Sequence, residues 1–331
     1  MSRDAAAMAG WSDEGHPAVR VPRVAVVAPS LQLSITLEHL AGDDELHVHA
    51  AGQGFWVARM LTHLDVDPVL CAPIGGETGV AIRALLGDLA GSGLVPCSAH
   101  NGAYLHDRRQ GERDSMAEIR SGRLGRHAED ELVSAAIAEG LQSDAVVVCG
   151  SNLDGNVDPE MFERVCRDVR AGGAVVVADL SGAELRSALR GGVDLLKVSH
   201  EELLRDGWSD GDEEDDLLRA IDALRAAGAR DVVVSCGPRA LLAALGTHRW
   251  RVVPPSMSVV DGRGAGDSMT AALAACAARR MDVVETLRLA TAAAALNVTR
   301  HGLASGHRGA IDALTRLVEM QRLDIPSDQN V

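Results

Sequence analysis

The segment VVDGRGAGDS, residues 259–268, carries the strongest single signal in the sequence. Its glycines at 262, 264 and 266 permit tight backbone turns, and an alanine-rich helical pattern, Ala265–Ala278, follows at once. Successive backbone N–H groups at the start of a helix form a binding site for anions. Asp267 stands where that site meets the helix, which suits a base that acts on a hydroxyl group beside a phosphate. Taken alone, the segment fits a structural loop with Asp267 as a helix cap equally well.

Short runs of β-branched residues alternate with amphipathic, Ala/Leu/Arg-rich stretches along the rest of the chain. The predicted strands are Val24–Ala28, Val69–Ile74, Ala145–Cys149, Ala174–Ala178, Leu195–Val198 and Val232–Cys236. The predicted helices between them are Val57–Leu64, Gly79–Ala90, Asp158–Ala171, Ala183–Leu189 and Leu217–Ala227. Because the strands are almost continuously apolar, the pattern indicates an α/β fold with a buried, largely parallel sheet and helices on both faces.

Two segments break this rhythm. Leu33–His49 and Ala99–Arg120 alternate polar and apolar residues without a long helical pattern, so they predict strands of a small accessory sheet. Near the C-terminus, Val283–Val298 and Gly309–Gln321 predict two further helices. The domain is expected to span residues 22–325, between a disordered tail at 1–21 and a short tail at 326–331.

Composition excludes several classes of function. The chain has 331 residues and a net charge of −15, which argues against a nucleic-acid groove or an anionic membrane surface. No apolar run approaches the roughly 20 residues that span a bilayer. The six cysteines form no CxxC pair, and lysine occurs once, at Lys197. Unpaired, widely spaced cysteines predict reduced thiols in a cytoplasmic protein.

Seven segments, in order, resemble motifs of the ribokinase/PfkB family of carbohydrate kinases. DGRGAGD, residues 261–267, resembles the family pattern D-T-x-G-A-G-D. The other six are HAAGQGFWVARML (49–61), PIGGETG (73–79), CGSNL (149–153), KVSHEEL (197–203), VVVSCG (232–237) and AAAALNVTRHG (292–302). Their order and spacing hold over residues 24–320. Residues 253–275 and 286–300 look most like 1-phosphofructokinases and tagatose-6-phosphate kinases.

The resemblance implies a three-layer α/β/α ribokinase-like fold, a mostly parallel central sheet, and a small β-sheet lid from segments 34–52 and 98–120. It implies Asp267 as the catalytic base and the amides of Gly264, Ala265 and Gly266 as an anion hole. ATP and Mg²⁺ are the implied cofactors, and Glu202 is the implied residue that organises Mg²⁺ through water. Asp261 is implied to help bind a monovalent cation such as K⁺. The implied nucleotide-side residues are Lys197, Ser235, Gly237, Arg263, Thr291, Asn297 and Gly302. Arg263 adds a charge beside the anion hole, where it either contacts a phosphate or stays solvated.

The acceptor side departs from the family. The implied acceptor-binding residues are Ser34, Gly52, Gln53, Gly54, Trp56, Asn101 and Tyr104. Of these, Ser34 replaces a carboxylate, Gln53 a lysine, Trp56 an asparagine and Asn101 a lid arginine. A sugar phosphate brings about two negative charges and needs Lys or Arg partners, so these changes argue against a phosphorylated acceptor.

Aromatic residues favour a flat or apolar acceptor. They make up 2% of the chain, yet Phe55, Trp56 and Tyr104 fall in the two segments assigned to the acceptor. This clustering suggests a nucleoside-like molecule. The alternative is that Phe55 packs in the core and Trp56 fills the space of the missing asparagine.

The sequence therefore predicts an ATP-dependent kinase that phosphorylates a hydroxyl of a small sugar-like or nucleoside-like acceptor. One alternative is a phosphosugar kinase of the 1-phosphofructokinase type. Another is a catalytically weak regulator that binds nucleotide or metabolite. A homodimer formed through the lid is expected, because exposed strand edges favour pairing.

Overall fold

The structure, a computed structural model, describes residues 20–111, 113–151, 155–300 and 302–323. Most of both predicted tails, 1–21 and 326–331, lies outside these residues, as do the last two residues of motif 149–153. Within the described residues, no helix is long and apolar enough to cross a membrane.

Ten strands form one large sheet in the order β14-β13-β12-β11-β10-β9-β8-β1-β4-β5. Its strands are β1 (Arg23–Val27), β4 (Asp67–Ile74), β5 (Leu94–Pro96), β8 (Ala145–Cys149), β9 (Val175–Asp179), β10 (Val193–Ser199), β11 (Ala229–Ser235), β12 (Leu241–Leu245), β13 (His248–Val253) and β14 (Glu319–Leu323). Along this sheet, the neighbours β5, β4, β1, β8, β9, β10 and β11 pair in parallel. The neighbours β11, β12, β13 and β14 pair antiparallel.

Helices cover both faces of this sheet. They are α1 (Gln53–His63), α2 (Gly76–Leu85), α3 (Arg126–Gly140), α4 (Glu160–Ala171), α5 (Gly182–Gly191), α6 (His200–Arg205), α7 (Glu214–Ala227), α8 (Ala265–Arg279), α9 (Val283–Asn297) and α10 (Arg308–Thr315). Alternate residues of β1 enter two separate cores: Val24 and Val26 pack with α1, α8 and α9, while Ala25 and Val27 pack with α3, α4 and α7. The predicted three-layer α/β/α fold is confirmed.

The predicted lid is also confirmed as a four-stranded sheet in the order β3-β2-β6-β7. Its strands are β2 (Gln32–Leu40), β3 (Asp43–Ala51), β6 (Gly102–Asp107) and β7 (Asp114–Ile119). Tyr104 of β6 lies opposite Ser34 of β2 and Glu118 of β7, so polar side chains line one face. Side chains alternate between the two faces of a strand, so the neighbouring residues Leu33, Leu105 and Ile119 make the other face apolar.

Besides the unpredicted α6, β5, β12 and β13, three parts of the chain differ from the sequence prediction. The helix expected over Gly309–Gln321 ends at Thr315, and Glu319–Leu323 forms β14 on the exposed edge of β13. The helix expected over Gly79–Ala90 ends at Leu85, and a short 3₁₀ turn follows Leu86 because Gly87 adopts φ 55°. Helix α3 was not predicted, since its apolar residues form only a narrow stripe among charged ones.

Candidate active site

The start of α8 forms the centre of the candidate site. Gly264 precedes the helix with φ 72°, a left-handed conformation that favours glycine. The first helical hydrogen bond runs from Ser268 N to Gly264 O (2.9 Å), so the preceding amides of Ala265 and Gly266 have no acceptor within the helix. Asp267 lies in this first turn. The segment therefore brings free N–H donors and a carboxyl group together.

Asp267 has the ionisation behaviour of a base that works near neutral pH. Burial, the main cause, and the charges of Asp179 and Glu202 raise its pKa from 3.8 to about 7, against the lowering effect of Lys197. Perturbed carboxyl groups of this kind cluster at functional sites. A general base is most effective when its pKa lies near the working pH.

Lys197 and Asp179 form a buried ion pair behind Asp267. Lys197 Nζ lies 3.1 and 3.2 Å from the two carboxylate oxygens of Asp179, and Thr270 Oγ1 donates to Asp179 Oδ2 at 2.6 Å. Burial lowers the pKa of Lys197, but the nearby carboxylates outweigh it and raise the pKa overall. A Cβ on Gly266 would lie 2.8 Å from Lys197 Nζ. The only ammonium side chain of the protein is thus held directly beside the anion hole.

A polar cleft of about 490 Å³ opens between Asp267 and the lid. We call it the acceptor cleft. Nine residues expected at the site line it: Gly52, Gln53, Trp56, Tyr104, Lys197, Glu202, Arg263, Gly264 and Asp267. Its lining also includes six residues that were not predicted from the sequence: Gln32, His106, Arg113, Glu118, Asp179 and Leu303. Asp179 has a signal in hindsight, since it ends an apolar strand at the carboxyl edge of the sheet, where α/β proteins bind ligands.

Arginines line this cleft, contrary to the expectation that its basic groups were lost. Arg113 Nη2 donates to His106 Nδ1 at 2.8 Å, and its guanidinium carbon lies 5.4 Å from the centre of the Tyr104 ring. Its Nε is buried without a hydrogen-bond partner among the described residues. Burial and the charges of Arg113, Arg263 and Arg108 lower the pKa of His106 to about 4, so His106 is neutral at pH 7. Arg263 supplies a second guanidinium to the cleft.

Two aromatic residues reach the cleft and one does not. Trp56 and Tyr104 line it, whereas Phe55 packs in the core and meets Trp56 edge-to-face with ring centres 4.8 Å apart. Trp56 also belongs to this core and is 9% exposed. Trp56 thus lines the cleft while most of the residue is packed in the core.

Three residues expected to bind the acceptor lie outside the cleft. Asn101 is buried, donates to Leu31 O (3.1 Å) and Pro73 O (3.0 Å), and accepts from Gly75 N (2.9 Å), so its amide is fully used in joining strands. Gly54 packs α1 against β1, because a Cβ there would collide with Ala28. Ser34 lies one pleat further along β2 than the cleft. Gln32, two residues earlier on the same face of β2, lines the cleft instead.

Gln53, expected to contact the acceptor, also joins two strand ends. Its Oε1 accepts from Gly150 N at 3.0 Å, and its Nε2 donates to Asp179 O at 3.4 Å. Gly52, with φ 100°, approaches so closely that a Cβ would lie 2.7 Å from Ser30 O. Both residues therefore hold in place the part of the cleft wall at which α1 begins.

A second cavity, of about 550 Å³ and mostly apolar, lies on the other side of the α8 start. We call it the nucleotide cavity. Ser235, Gly237 and Thr291, expected on the nucleotide side, line it together with Ala265, Met257 and Met269. Lys197 and Arg263 line the acceptor cleft instead.

Asn297 and Gly302, also expected on the nucleotide side, line neither cavity. Asn297 donates to Arg263 O at 2.6 Å and accepts from Ala304 N at 2.9 Å, which ties the glycine loop to the end of α9. Gly302 lies in the exposed turn after α9, where its carbonyl accepts from Ser305 Oγ.

Glu202 and Asp261, the two residues expected at metal sites, differ in whether a carboxylate oxygen remains available to a ligand. Glu202 caps α6, because its Oε2 accepts from Ser199 N and Oγ at 2.8 Å, and it lines the cleft. Its Oε1 accepts no hydrogen bond from the described residues. Mg²⁺ keeps several waters and takes one or two protein carboxylates plus substrate phosphates, so one free oxygen fits it. Asp261 is occupied by Arg263 on both oxygens.

An apolar cavity and a polar cleft meet at the start of α8, beside the carboxyl group of Asp267. This arrangement fits the site of a phosphotransferase. The chain belongs to the pfkB family of carbohydrate kinases, whose family model matches residues 31–308. It is a PfkB-type sugar kinase, and membership of this family implies ATP as substrate and, in general, Mg²⁺. The reading as a catalytically weak regulator is not favoured.

Individual relatives agree with this assignment. ATP-dependent 6-phosphofructokinase isozyme 2 of Mycobacterium tuberculosis (strain ATCC 25618 / H37Rv) is 28% identical over 333 residues, 98% of this chain and 96% of that protein. The 1-phosphofructokinase of Escherichia coli K12 is 29% identical over 280 residues, 83% and 88% of the two chains. The crystal structure of phosphofructokinase-2 from Escherichia coli in complex with potassium superposes with a TM-score of 0.76 at 24% identity, covering 90% of this chain and 98% of that chain.

Proposed function

We propose that Asp267 takes the proton from a hydroxyl of a sugar-like acceptor in the acceptor cleft while the amides of Gly264, Ala265 and Gly266 hold the transferred phosphoryl group. The observation that carries this proposal is the position of Asp267. It lines the acceptor cleft with a pKa raised to about 7, two residues after Ala265, which lines the nucleotide cavity. Phosphoryl transfer needs mainly positioning, charge stabilisation and a group that receives the hydroxyl proton.

The donor nucleotide fits the other side of the same helix start. Ala294, Ala295, Met257 and Met269 offer apolar walls to the base of ATP, and Ala265 brings the cavity to the anion hole. When bound, Mg²⁺ neutralises charge on the phosphates. The free Oε1 of Glu202 would accept from one of its waters. Lys197 adds positive charge next to Gly266, where the phosphoryl group is held.

The test is ADP release with Mg·ATP over a panel of sugars, sugar phosphates, polyols and nucleosides. Turnover is expected with a sugar-like acceptor. Asp267→Asn should lower kcat by about 10²- to 10⁴-fold, because general-base catalysis contributes that much. Nucleotide affinity should change little in this variant. Full turnover in Asp267→Asn would refute the assignment of the base, whatever the acceptor proves to be.

A phosphorylated acceptor is a second candidate, favoured by the guanidinium of Arg113. Its buried Nε lacks a partner among the described residues, and its Nη2 donates to the neutral His106. An arginine held beside a cleft without a carboxylate partner suits a phosphate group. Several relatives are phosphofructokinases by name. Against this, Trp56 and Tyr104 still offer flat surfaces to an unphosphorylated acceptor.

Arg113→Ala distinguishes the two kinds of acceptor. For a phosphorylated acceptor, KM should rise by roughly tenfold or more, because a charge-assisted contact is lost. For the unphosphorylated counterpart it should stay nearly constant. Arg108→Ala is the matched control, since Arg108 pairs with Glu38 at 3.4 Å and does not line the cleft. Equal effects of both variants on both acceptors would exclude a phosphate contact at Arg113.

We also propose that the protein is cytoplasmic and forms a homodimer through the lid. All six cysteines are free thiols, as expected in a reducing compartment. The apolar lid face leaves Leu46 of β3 60% exposed and Ile119 of β7 54% exposed. Exposed apolar residues on the outer strands of a small sheet favour pairing with a second copy.

A further inference from the structure

The carboxylate of Asp261, expected to help hold a monovalent cation, already has a cationic partner. It is 8% exposed. Oδ1 accepts from the backbone N (3.1 Å) and the Nε (3.0 Å) of Arg263, and Oδ2 accepts from its Nη2 (3.0 Å). This is the two-pronged contact for which a guanidinium is shaped. Both oxygens that a metal ion would use are therefore occupied.

The backbone around this pair is occupied as well. The carbonyl oxygen of Arg263 accepts from Asn297 Nδ2 at 2.6 Å. The carbonyl oxygen of Val298 accepts from the amides of Val260 (2.7 Å) and Asp261 (3.1 Å). A cation bound here would have to displace the guanidinium and share oxygens that already accept hydrogen bonds. The residues present do not fit a potassium ion.

Charge balance leads to the same conclusion. A buried carboxylate needs a positive partner. Arg263 supplies that partner, because its guanidinium donates to both oxygens of Asp261. Arg263 stands at the position that the family pattern D-T-x-G-A-G-D leaves open. It is directly followed by Gly264, which starts the anion hole.

We propose that the Arg263 guanidinium is a tethered cation, which holds the glycine loop in place of a potassium ion, and that this kinase therefore binds nucleotide without a monovalent cation. Phosphofructokinase-2 from Escherichia coli has been crystallised in complex with potassium. The inference rests on the proposed role of residues 261–267 in holding phosphates. It does not depend on the identity of the acceptor.

The test compares potassium chloride with choline chloride at equal ionic strength. Two quantities are measured in each salt: the Tm of the protein, and its affinity for a non-hydrolysable ATP analogue with Mg²⁺. The wild-type protein should give the same values in both salts. A saturable rise of Tm or affinity with potassium in the wild type would overturn the proposal.

Arg263→Met should make nucleotide affinity and Tm depend on potassium. In choline chloride, its affinity for the analogue should fall by roughly tenfold, the order expected for lost charge-assisted contacts. Potassium should restore affinity and Tm in a saturable manner. The double variant Asp261→Asn/Arg263→Met should show no recovery, because the carboxylate that would bind potassium is gone. If Arg263→Met shows no response to potassium, the guanidinium does not stand in for a cation.

Arg108→Ala is the charge control. Arg108 acts on Asp261 through its charge but forms no hydrogen bond or ion pair with that carboxylate within the described residues, and it pairs with Glu38. This variant should stay indifferent to potassium. Failure of this inference can be told apart from failure of the proposed function. If the protein binds no ATP analogue, the Tm of Arg263→Met with and without potassium still shows whether a cation binds. If that variant does not fold, the wild-type titration alone decides.

Discussion

At the scale of single residues, Asp267 gives the activity a defined pH dependence. Its pKa is raised to about 7, chiefly by burial, and only the ionised carboxylate accepts a proton. We therefore expect kcat/KM for the acceptor to rise with pH and to level off above about pH 7, because at saturating Mg·ATP this parameter reports the enzyme before the acceptor binds. A pH profile at saturating Mg·ATP measures it. A profile that is flat between pH 5 and pH 8, roughly the range over which the carboxylate ionises, would contradict the role of Asp267.

The same raised pKa means that the ionised carboxylate of Asp267 destabilises the folded protein at neutral and higher pH. The folded state holds its proton up to about pH 7, whereas the unfolded chain releases it near 4. Stability from this group is thus present at low pH and lost as the pH rises from about 4 to 7. Asp267→Asn should raise the free energy of unfolding at pH 8 by about 2 kcal/mol, a value reduced for partial solvent contact. Denaturant unfolding at pH 8 and pH 4.5, roughly either side of the shift, should show the gain only at the higher pH.

How far the sequence predicted the site depends on the kind of residue. Asp267 and its glycines were predictable, because they are contiguous and their chemistry follows from one helix start. Arg113 and His106 were not, because they reach the cleft only through the pairing of β6 and β7. Ser34, expected at the acceptor, and Gln32, which lines the cleft, lie two positions apart on the same face of β2, so the strand pattern does not distinguish them.

At the scale of elements, α1 depends on a glycine to pack against the sheet. Gly54→Ala would drive a methyl group into Ala28 of the chain leaving β1. Overpacking of this kind costs about 1 to 3 kcal/mol. We expect a lower denaturation midpoint, with a smaller loss of activity than in Asp267→Asn.

Gly91→Ala is the matched control for this substitution. A Cβ at Gly91 meets nothing within 4 Å, so its effect on stability should stay within about 0.5 kcal/mol. If both variants unfold at the same midpoint, close packing at Gly54 is not what this position requires.

The elements that the sequence predicted best are those with strong local patterns. The parallel strands β1, β8, β9, β10 and β11 coincide closely with β-branched runs. Strand β14 was predicted as helix because an amphipathic segment next to a sheet edge can adopt either structure, and the free edge of β13 decides. That edge exists only after the rest of the sheet has formed, so no local pattern encodes it.

At the scale of the whole molecule, the lid predicts the oligomeric state. Ile119→Glu places a charge on the exposed apolar lid face and should convert a dimer into a monomer. Sedimentation velocity measures the change. Leu317→Glu is the control, since Leu317 is 61% exposed in the turn between α10 and β14, away from the lid. A wild-type protein that sediments as a monomer at all concentrations would rule out the lid dimer.

The burial of Lys197 beside Gly266 has a practical consequence for chemical labelling. Because this is the only lysine among 331 residues, an amine-selective reagent has one side-chain target in the entire protein. The target is 6% exposed and paired with Asp179, so acylation should be slow unless this ion pair becomes exposed. The extent of modification at this one residue, read by mass spectrometry, would therefore serve as a built-in reporter of active-site opening.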